Sequence, residues 1–245
     1  MKELFDFISK NVEQTKISNK NKKIIVEEMD KLRSFIVDAR PARIALVGRR
    51  GAGKSSLINA IFGEERAEVG HTKAQTGMGS WYQYRSEQGE IDILDTRGLG
   101  EASRPVEEVR EATPLEEIKQ AIKEKCPDVI LFLSKAKEVD AWIDEDIDQL
   151  QELRLMIANE HDSDIPILGL VTQVDELYPL SDKEPPFNSP EKKQHIEEAV
   201  RILKDKLSNQ IHKPVQVIPI SAYMEFSEGA IVYDGRWNID ELIDF

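Results

Sequence analysis

Apolar runs and amphipathic stretches alternate along most of this chain. Ile44-Ala45-Leu46-Val47 is a continuous apolar run, and residues 79–84, 91–94, 129–133, 165–171 and 215–220 read likewise as strands. Between most of them lie segments with helical spacing: 56–62 ending at Gly63, 114–125, 143–160 and 190–211. In the third of these, Ile143, Ile147, Leu150, Leu153 and Ile157 recur on one face. Strands alternating with helices predict an α/β fold: a doubly wound, mostly parallel six-stranded sheet flanked by helices, with ligands at the carboxyl ends of the strands. The segments around Tyr82-Gln83-Tyr84 and Ile91-Asp92-Ile93 are too close for a crossover helix, so they predict an antiparallel hairpin at an edge.

Residues 1–40 stand apart from this alternation as an N-terminal helical arm, and 41–245 form the sheet domain. Val26, Met29, Leu32 and Ile36 follow helical spacing, while 15–23 is polar and basic, which predicts two helices joined by a loop. Two readings of the arm stand: packing on the domain, or facing a partner or membrane. At the other end Asn238 and Glu241 have capping-box spacing, yet only a short helix fits before Phe245, which reads as a truncated final helix of a longer protein.

Composition narrows the chemistry. The 245 residues carry 46 acidic against 33 basic side chains, a formal charge of −13, so a broad nucleic-acid-binding face is not indicated. The single cysteine, Cys126, excludes an internal disulfide and reads as a small buried residue in a reducing compartment. The apolar runs are too short to span a bilayer and the start shows no secretory pattern, so the expectation is a cytoplasmic chain that meets a membrane only through a region outside it.

The chemistry concentrates after the first strand. Gly48-Arg49-Arg50-Gly51-Ala52-Gly53-Lys54-Ser55 is G-x-x-x-x-G-K-S, followed by Ser56 and the apolar helix. Glycines between a buried strand and a helix let backbone N–H groups approach a phosphate, where the helix N-terminus adds partial positive charge. Lys54 supplies a point charge to the β- and γ-phosphates, and the Ser55 hydroxyl is placed to ligate magnesium. Further motifs follow in order. Asp95-Thr96-Arg97-Gly98 ends a strand, with Asp95 placed to hold Mg²⁺ through water and the Gly98 N–H to touch the γ-phosphate. Thr172-Gln173-Val174-Asp175 puts a carboxylate where it accepts from the ring N–H and exocyclic amine of guanine; adenine lacks that pair of donors. Ser221-Ala222 offers a backbone N–H to the guanine keto oxygen.

By these residues, with Leu57-Ile58-Asn59-Ala60-Ile61-Phe62-Gly63 and Arg66-Ala67-Glu68-Val69, the chain resembles the translation-factor-related GTPases, and within them the Era/TrmE/septin-like branch, over about residues 42–245. The resemblance implies GTP or GDP with Mg²⁺ as ligands and hydrolysis of GTP. It also implies a threonine of the first switch that ligates magnesium in the GTP state, for which Thr72 and Thr76 are candidates and spacing favours Thr76. A switch of this kind orders the loops 70–80 and 98–113, which a protein effector or a second copy reads; the alternative is a nucleotide-dependent self-assembly module in which hydrolysis is incidental.

Departures from the family pattern shift the expectations. Gln173 stands where the family carries lysine, which predicts weaker nucleotide affinity. Gly51 replaces the asparagine of potassium-dependent relatives, and Leu99 replaces the water-orienting glutamine of Ras-like switches, so hydrolysis is expected to be slow and insensitive to potassium. Arg49 and Arg50 either point at solvent or acidic segments or place a guanidinium on the transition state, with Arg50 the catalytic candidate; Arg97 has the same two readings. His71 is a lone loop histidine, and His161, His195 and His212 lack metal-ligand partners. The proline-rich segment 177–190 is either a solvated excursion or a lid near the ribose.

Overall fold

A computed structural model describes residues 18–37, 40–65, 80–86, 89–95, 114–141 and 143–243. The chain divides into two units, Met1–Pro41 and Ala42–Phe245. In the first, one helix, α1 (Asn19–Val37), begins inside the stretch read from sequence as a break. The reason is local: the Ser18 hydroxyl accepts from the Asn21 N–H at 3.3 Å, and the Ser18 carbonyl from the Lys22 N–H, so serine caps a lysine-rich first turn. Any helix before it lies outside the described residues.

The second unit follows the order β1 (Ala42–Gly48), α2 (Lys54–Phe62), β2 (Ser80–Ser86), β3 (Gly89–Asp95), α3 (Pro114–Glu124), β4 (Val129–Lys135), α4 (Ile143–His161), β5 (Ile167–Thr172), α5 (Pro190–Ile211), β6 (Gln216–Pro219), β7 (Ser221–Ser227), β8 (Ala230–Trp237) and α6 (Ile239–Ile243). One six-stranded sheet runs β2-β3-β1-β4-β5-β6, parallel except for β2, which pairs antiparallel with β3 as the short connection requires. β1 and β4 are central and buried on both faces, so alternate residues feed two cores. Ala45, Val47, Ile130 and Phe132 join α3, α4 and α5 on one face; Leu46, Leu131 and Leu133 join α2 and α6 on the other. The five periodic positions of α4 expected from sequence are all at most 3% exposed.

The last part of the chain departs from the expected pattern. Between β6 and α6 a second sheet forms, the antiparallel hairpin β7-β8, where the sequence reading has none. Its first strand alternates, as Ala222, Met224 and Phe226 are half-buried while Tyr223, Glu225 and Ser227 are exposed. The turn residues Glu228 and Gly229 both have positive φ, the geometry a tight hairpin needs.

Candidate nucleotide-binding site

The phosphate loop folds as its glycines dictate. A Cβ on Gly48 would stand 2.4 Å from the Leu133 carbonyl oxygen, so only glycine lets β1 run this close to β4 and turn. Gly53 precedes α2 in the left-handed region, with no side-chain cap. The first N–H groups of α2 are thereby left to an external acceptor, and the loop is a cradle that added side chains would fill. Lys54 is 9% exposed, and its ammonium donates to the carbonyls of Gly48 at 2.9 Å and Arg49 at 3.1 Å. It therefore lies back across the loop, held by the loop's own carbonyls. Ser55 and Ser56 follow on the first turn, half-buried.

The Arg49 side chain is anchored outside the loop. Its guanidinium donates through Nε to Asp146 on α4 at 2.6 Å, and Asp146 is 4% exposed. Burial pushes the Asp146 carboxyl above its ordinary range, and the Arg49 bond and charge pull it back in part. Of the two sequence readings for this arginine, the geometry takes the contact with an acidic segment. Arg50 is exposed on the loop. A cation that sequence reasoning missed lies nearby: the Lys135 ammonium, at the end of β4, stands 3.2 Å from where a Cβ on Gly51 would be, and it pairs with Glu138 at 3.1 Å. Only parallel pairing of β4 beside β1 brings Lys135 there, so no local motif announces it.

The base-reading motif is wired to the same loop. The Thr172 hydroxyl donates to the Ala52 carbonyl at 2.9 Å, and the Gln173 side-chain amide donates to the Gly51 carbonyl at 2.7 Å. Gln173 thus keeps a donor on the loop without a charge, held by a left-handed backbone at φ 57°. Ile220 N–H donates to the Val171 carbonyl at 2.8 Å, which sets Ser221 directly beside the motif. Ser221 is fully buried, and its hydroxyl has no hydrogen-bond partner among the described residues. Ala222 follows, half-buried, on β7.

The segment 177–190 is mostly exposed, with only Phe187 buried, but it is anchored from beneath. It wraps a fully buried lysine from the first turn of α5: Lys192 donates to the carbonyl of Asp175 at 2.7 Å and to that of Asp182, and its ammonium lies 4.7 Å from the centre of the Phe187 ring. The Asp182 carboxylate accepts the N–H groups of Asn188 and Ser189 at 3.0 and 2.9 Å. Burial holds the Lys192 ammonium below the usual lysine range, opposed by Asp182 and Asp175. Phe187 packs edge-on against Trp237 of β8, with ring centres 5.2 Å apart, tying segment and hairpin together. Lys192 gave no sequence signal, because on a helix rich in charge it reads as one more solvated lysine.

Asp95 ends β3 next to the loop strand, opposite Leu46 of β1. Thr72, Thr76, Arg97, Gly98 and Leu99, and most of both switch loops, lie outside the described residues. Among those described, no group of three or more His, Cys, Asp or Glu is placed to hold a metal, and no helix is long and apolar enough to cross a membrane.

Comparison with known proteins agrees with this geometry. Residues 43–172 match the family described as 50S ribosome-binding GTPase. A GTPase Der of Nitrobacter hamburgensis is 29% identical over 165 residues, 62% of this chain and 34% of that one. A tRNA modification GTPase MnmE of Mycoplasma genitalium is 30% identical over 123 residues, 47% of this chain and 27% of that one. The chain thus spans about a third or less of the length of these relatives. Among solved structures, Toc33 from Arabidopsis thaliana superposes with a TM-score of 0.59 at 18% identity, covering 93% of this chain and 91% of that one. Era, in complex with MgGDPNP and nucleotides of 16S ribosomal RNA, gives 0.51 at 24% identity, covering 84% of this chain and 55% of that one. The loop, the base-reading strand end, the sheet order and these matches have one common explanation: this chain belongs to the 50S ribosome-binding GTPase family, as a guanine-nucleotide-binding domain of the P-loop class.

Proposed function

We propose that the chain binds GTP with Mg²⁺, hydrolyses it slowly to GDP and phosphate, and serves as a nucleotide-dependent switch. The observation that carries this reading is the direct wiring of base motif to phosphate loop, Thr172 to Ala52 and Gln173 to Gly51. A guanine seated on Asp175 therefore fixes the loop that holds its phosphates. In this reading Gly48, Arg49, Arg50, Gly51, Ala52, Gly53, Lys54, Ser55 and Ser56 form the loop that holds the phosphates, Thr172, Gln173, Asp175, Ser221 and Ala222 hold the base, and Ser55, Thr76 and Asp95 hold the magnesium ion. That ion, when bound, neutralises charge developing on the β- and γ-phosphates. Lys54 acts on the same oxygens as a fixed charge, and Gly98 offers its N–H to the γ-phosphate.

Arg50 and Arg97 remain the arginines able to meet transition-state charge, since the Arg49 side chain pairs with Asp146. A protein effector, or a second copy of the chain, reads the switch loops. The −13 charge speaks for a protein rather than a nucleic-acid partner, and the ribosomal RNA in the Era complex makes RNA the contrasting case to test. Matched titrations with non-hydrolysable GTP, GDP and ATP analogues test the core of the reading. Guanine nucleotides should bind at least about a hundredfold tighter than the ATP analogue, and equal affinities would refute the base assignment.

A further inference from the structure

The hairpin β7-β8 leaves the base-reading motif directly, since Ser221 and Ala222 are its first two residues. Its two faces differ in kind. Ala222 and Met224 pack against the core beneath α2. On the opposite face the register pairs Tyr223 with Gly235 and Glu225 with Tyr233, so both tyrosines project from the same side. Gly235 is what allows their arrangement. A Cβ there would stand 2.8 Å from Cε1 and 3.2 Å from the hydroxyl of Tyr233, so the Tyr233 ring lies flat across the space glycine leaves. It thereby reaches Tyr223, with ring centres 5.5 Å apart and planes tilted by 51°.

The pair follows directly on Ser221 and Ala222, and the chain just before them is bonded to the strand end that carries Asp175: the Ile220 N–H donates to the Val171 carbonyl at 2.8 Å, and the Ile220 carbonyl accepts from the Val174 N–H at 3.5 Å. The Tyr223 phenol is raised above its ordinary range by its bond to Glu225, then by burial, with the charges of Glu225 and Asp175 adding to it. The Tyr233 phenol is raised by burial first, then by the carboxylates of Glu184 and Asp175. The same carboxylate that reads guanine is thus felt by both rings. Tyr223 is nevertheless 49% exposed, an aromatic surface with one side uncovered. The edge of the hairpin is held in place from below: Arg236 donates to the Ala60 carbonyl of α2 at 3.1 Å, and the Asn238 side chain donates to the Pro219 carbonyl at 3.1 Å.

We infer that Tyr223 and Tyr233 form an aromatic shelf against which the purine of the bound nucleotide packs, so that the hairpin completes the base site. Asp175 supplies hydrogen bonds in the plane of the base; the shelf supplies stacking against its face, which is indifferent to the identity of the purine. The shelf rests on the guanine-site reading above but makes a separate demand, that affinity depend on aromatic rings at 223 and 233. Calorimetric titration of GDP with magnesium into the parent chain, Tyr223→Ala, Tyr233→Ala and Tyr233→Phe tests it, with inorganic tripolyphosphate as a probe that has no base.

At least one alanine variant should lose about fivefold or more in GDP affinity, as expected for stacking on an aromatic side chain. Tyr233→Phe should stay within about twofold, and tripolyphosphate should bind every variant as it binds the parent. GDP affinities within twofold for both alanine variants, in a parent that prefers GDP to ADP, would overturn the shelf and leave Asp175 as the base reader. An equal loss of tripolyphosphate binding would overturn it too, as the variant then disturbs the phosphate loop. A parent that binds GDP and ADP alike would remove the base site itself. Should Tyr233→Ala fail to fold, Tyr223→Ala, altered at a half-exposed side chain, decides the matter alone.

Discussion

The phosphate half and the base half of this site are built in opposite ways. Gly48 to Ser55 is one unbroken stretch in which, on the proposed reading, each group acts from its own place in the sequence: glycines admit the phosphate, Lys54 supplies charge, and Ser55 supplies an oxygen. Asp175, by contrast, takes its position from elsewhere. Its carbonyl is held by Lys192 from α5, its strand end is bound to Ala52 and Gly51 by Thr172 and Gln173, and its neighbour Ser221 arrives on a different strand. A consecutive motif encodes chemistry locally, whereas a tertiary scaffold encodes position, and substitutions should separate the two.

The largest effect is expected from Lys54→Ala. No other basic group of the motif reaches the same oxygens from the helix start, so GTP affinity measured by calorimetry should fall by more than about a hundredfold, with the fold and its melting temperature retained. Should binding survive, the local half of the comparison fails.

Asp175→Asn comes next. Losing two hydrogen bonds to a carboxylate costs about 3 kcal/mol, roughly a hundredfold in GTP affinity, and the new amide suits the keto group of xanthine. A competition assay with xanthosine diphosphate should show the preference reversed; parental GTP affinity would place base reading elsewhere.

Lys192→Met should disturb the base half without touching nucleotide. It leaves the Asp175 and Asp182 carbonyls without a charged donor in a buried place, so a drop in stability of about 3 kcal/mol and a loss of roughly tenfold in GDP affinity are expected, with no gain for xanthine. The pH profile gives an independent check. A lysine held below its ordinary range binds a proton more weakly in the native than in the unfolded chain, so its term makes the fold more stable as pH rises from the native pKa towards 10.5. Lys192→Met should flatten that rise. Unchanged GDP affinity would show that Asp175 holds its place without the lysine.

Arg49→Ala should have the smallest effect on chemistry. Because its guanidinium is spent on Asp146, steady-state hydrolysis should stay within about twofold of a parental rate of ~10⁻⁴ to 10⁻² s⁻¹, while stability falls as Asp146 loses its partner. Arg50→Ala is the contrasting variant, and a tenfold lower rate confined to it would assign the transition-state arginine.

The same division explains what could be read from the sequence. The sheet domain was legible because burial follows period and length: the α4 positions from Ile143 to Ile157 and the runs of β1, β4 and β5 announce themselves. The phosphate loop and the order of motifs were legible for the same local reason. The hairpin was not, since Tyr223, Glu225 and Ser227 alternate with only half-buried partners and its turn, Glu228-Gly229, is short. Lys135 and Lys192 were invisible because a lysine's role depends on what a distant strand or loop places around it. The amide bond of Gln173 to the Gly51 carbonyl was invisible in the same way, although the loss of charge at that position was plain in the sequence.

Burial of Lys192 also makes it a chemical reporter. An amine-acylating reagent modifies exposed lysines such as Lys193 directly, but it can reach Lys192, at 0% exposure, only when the 177–190 segment swings away and releases it. Mass spectrometric counting of acyl groups at adjacent Lys192 and Lys193 therefore yields an opening rate with its own internal standard, and slower labelling of Lys192 on adding GDP would show how firmly a bound base latches that segment shut.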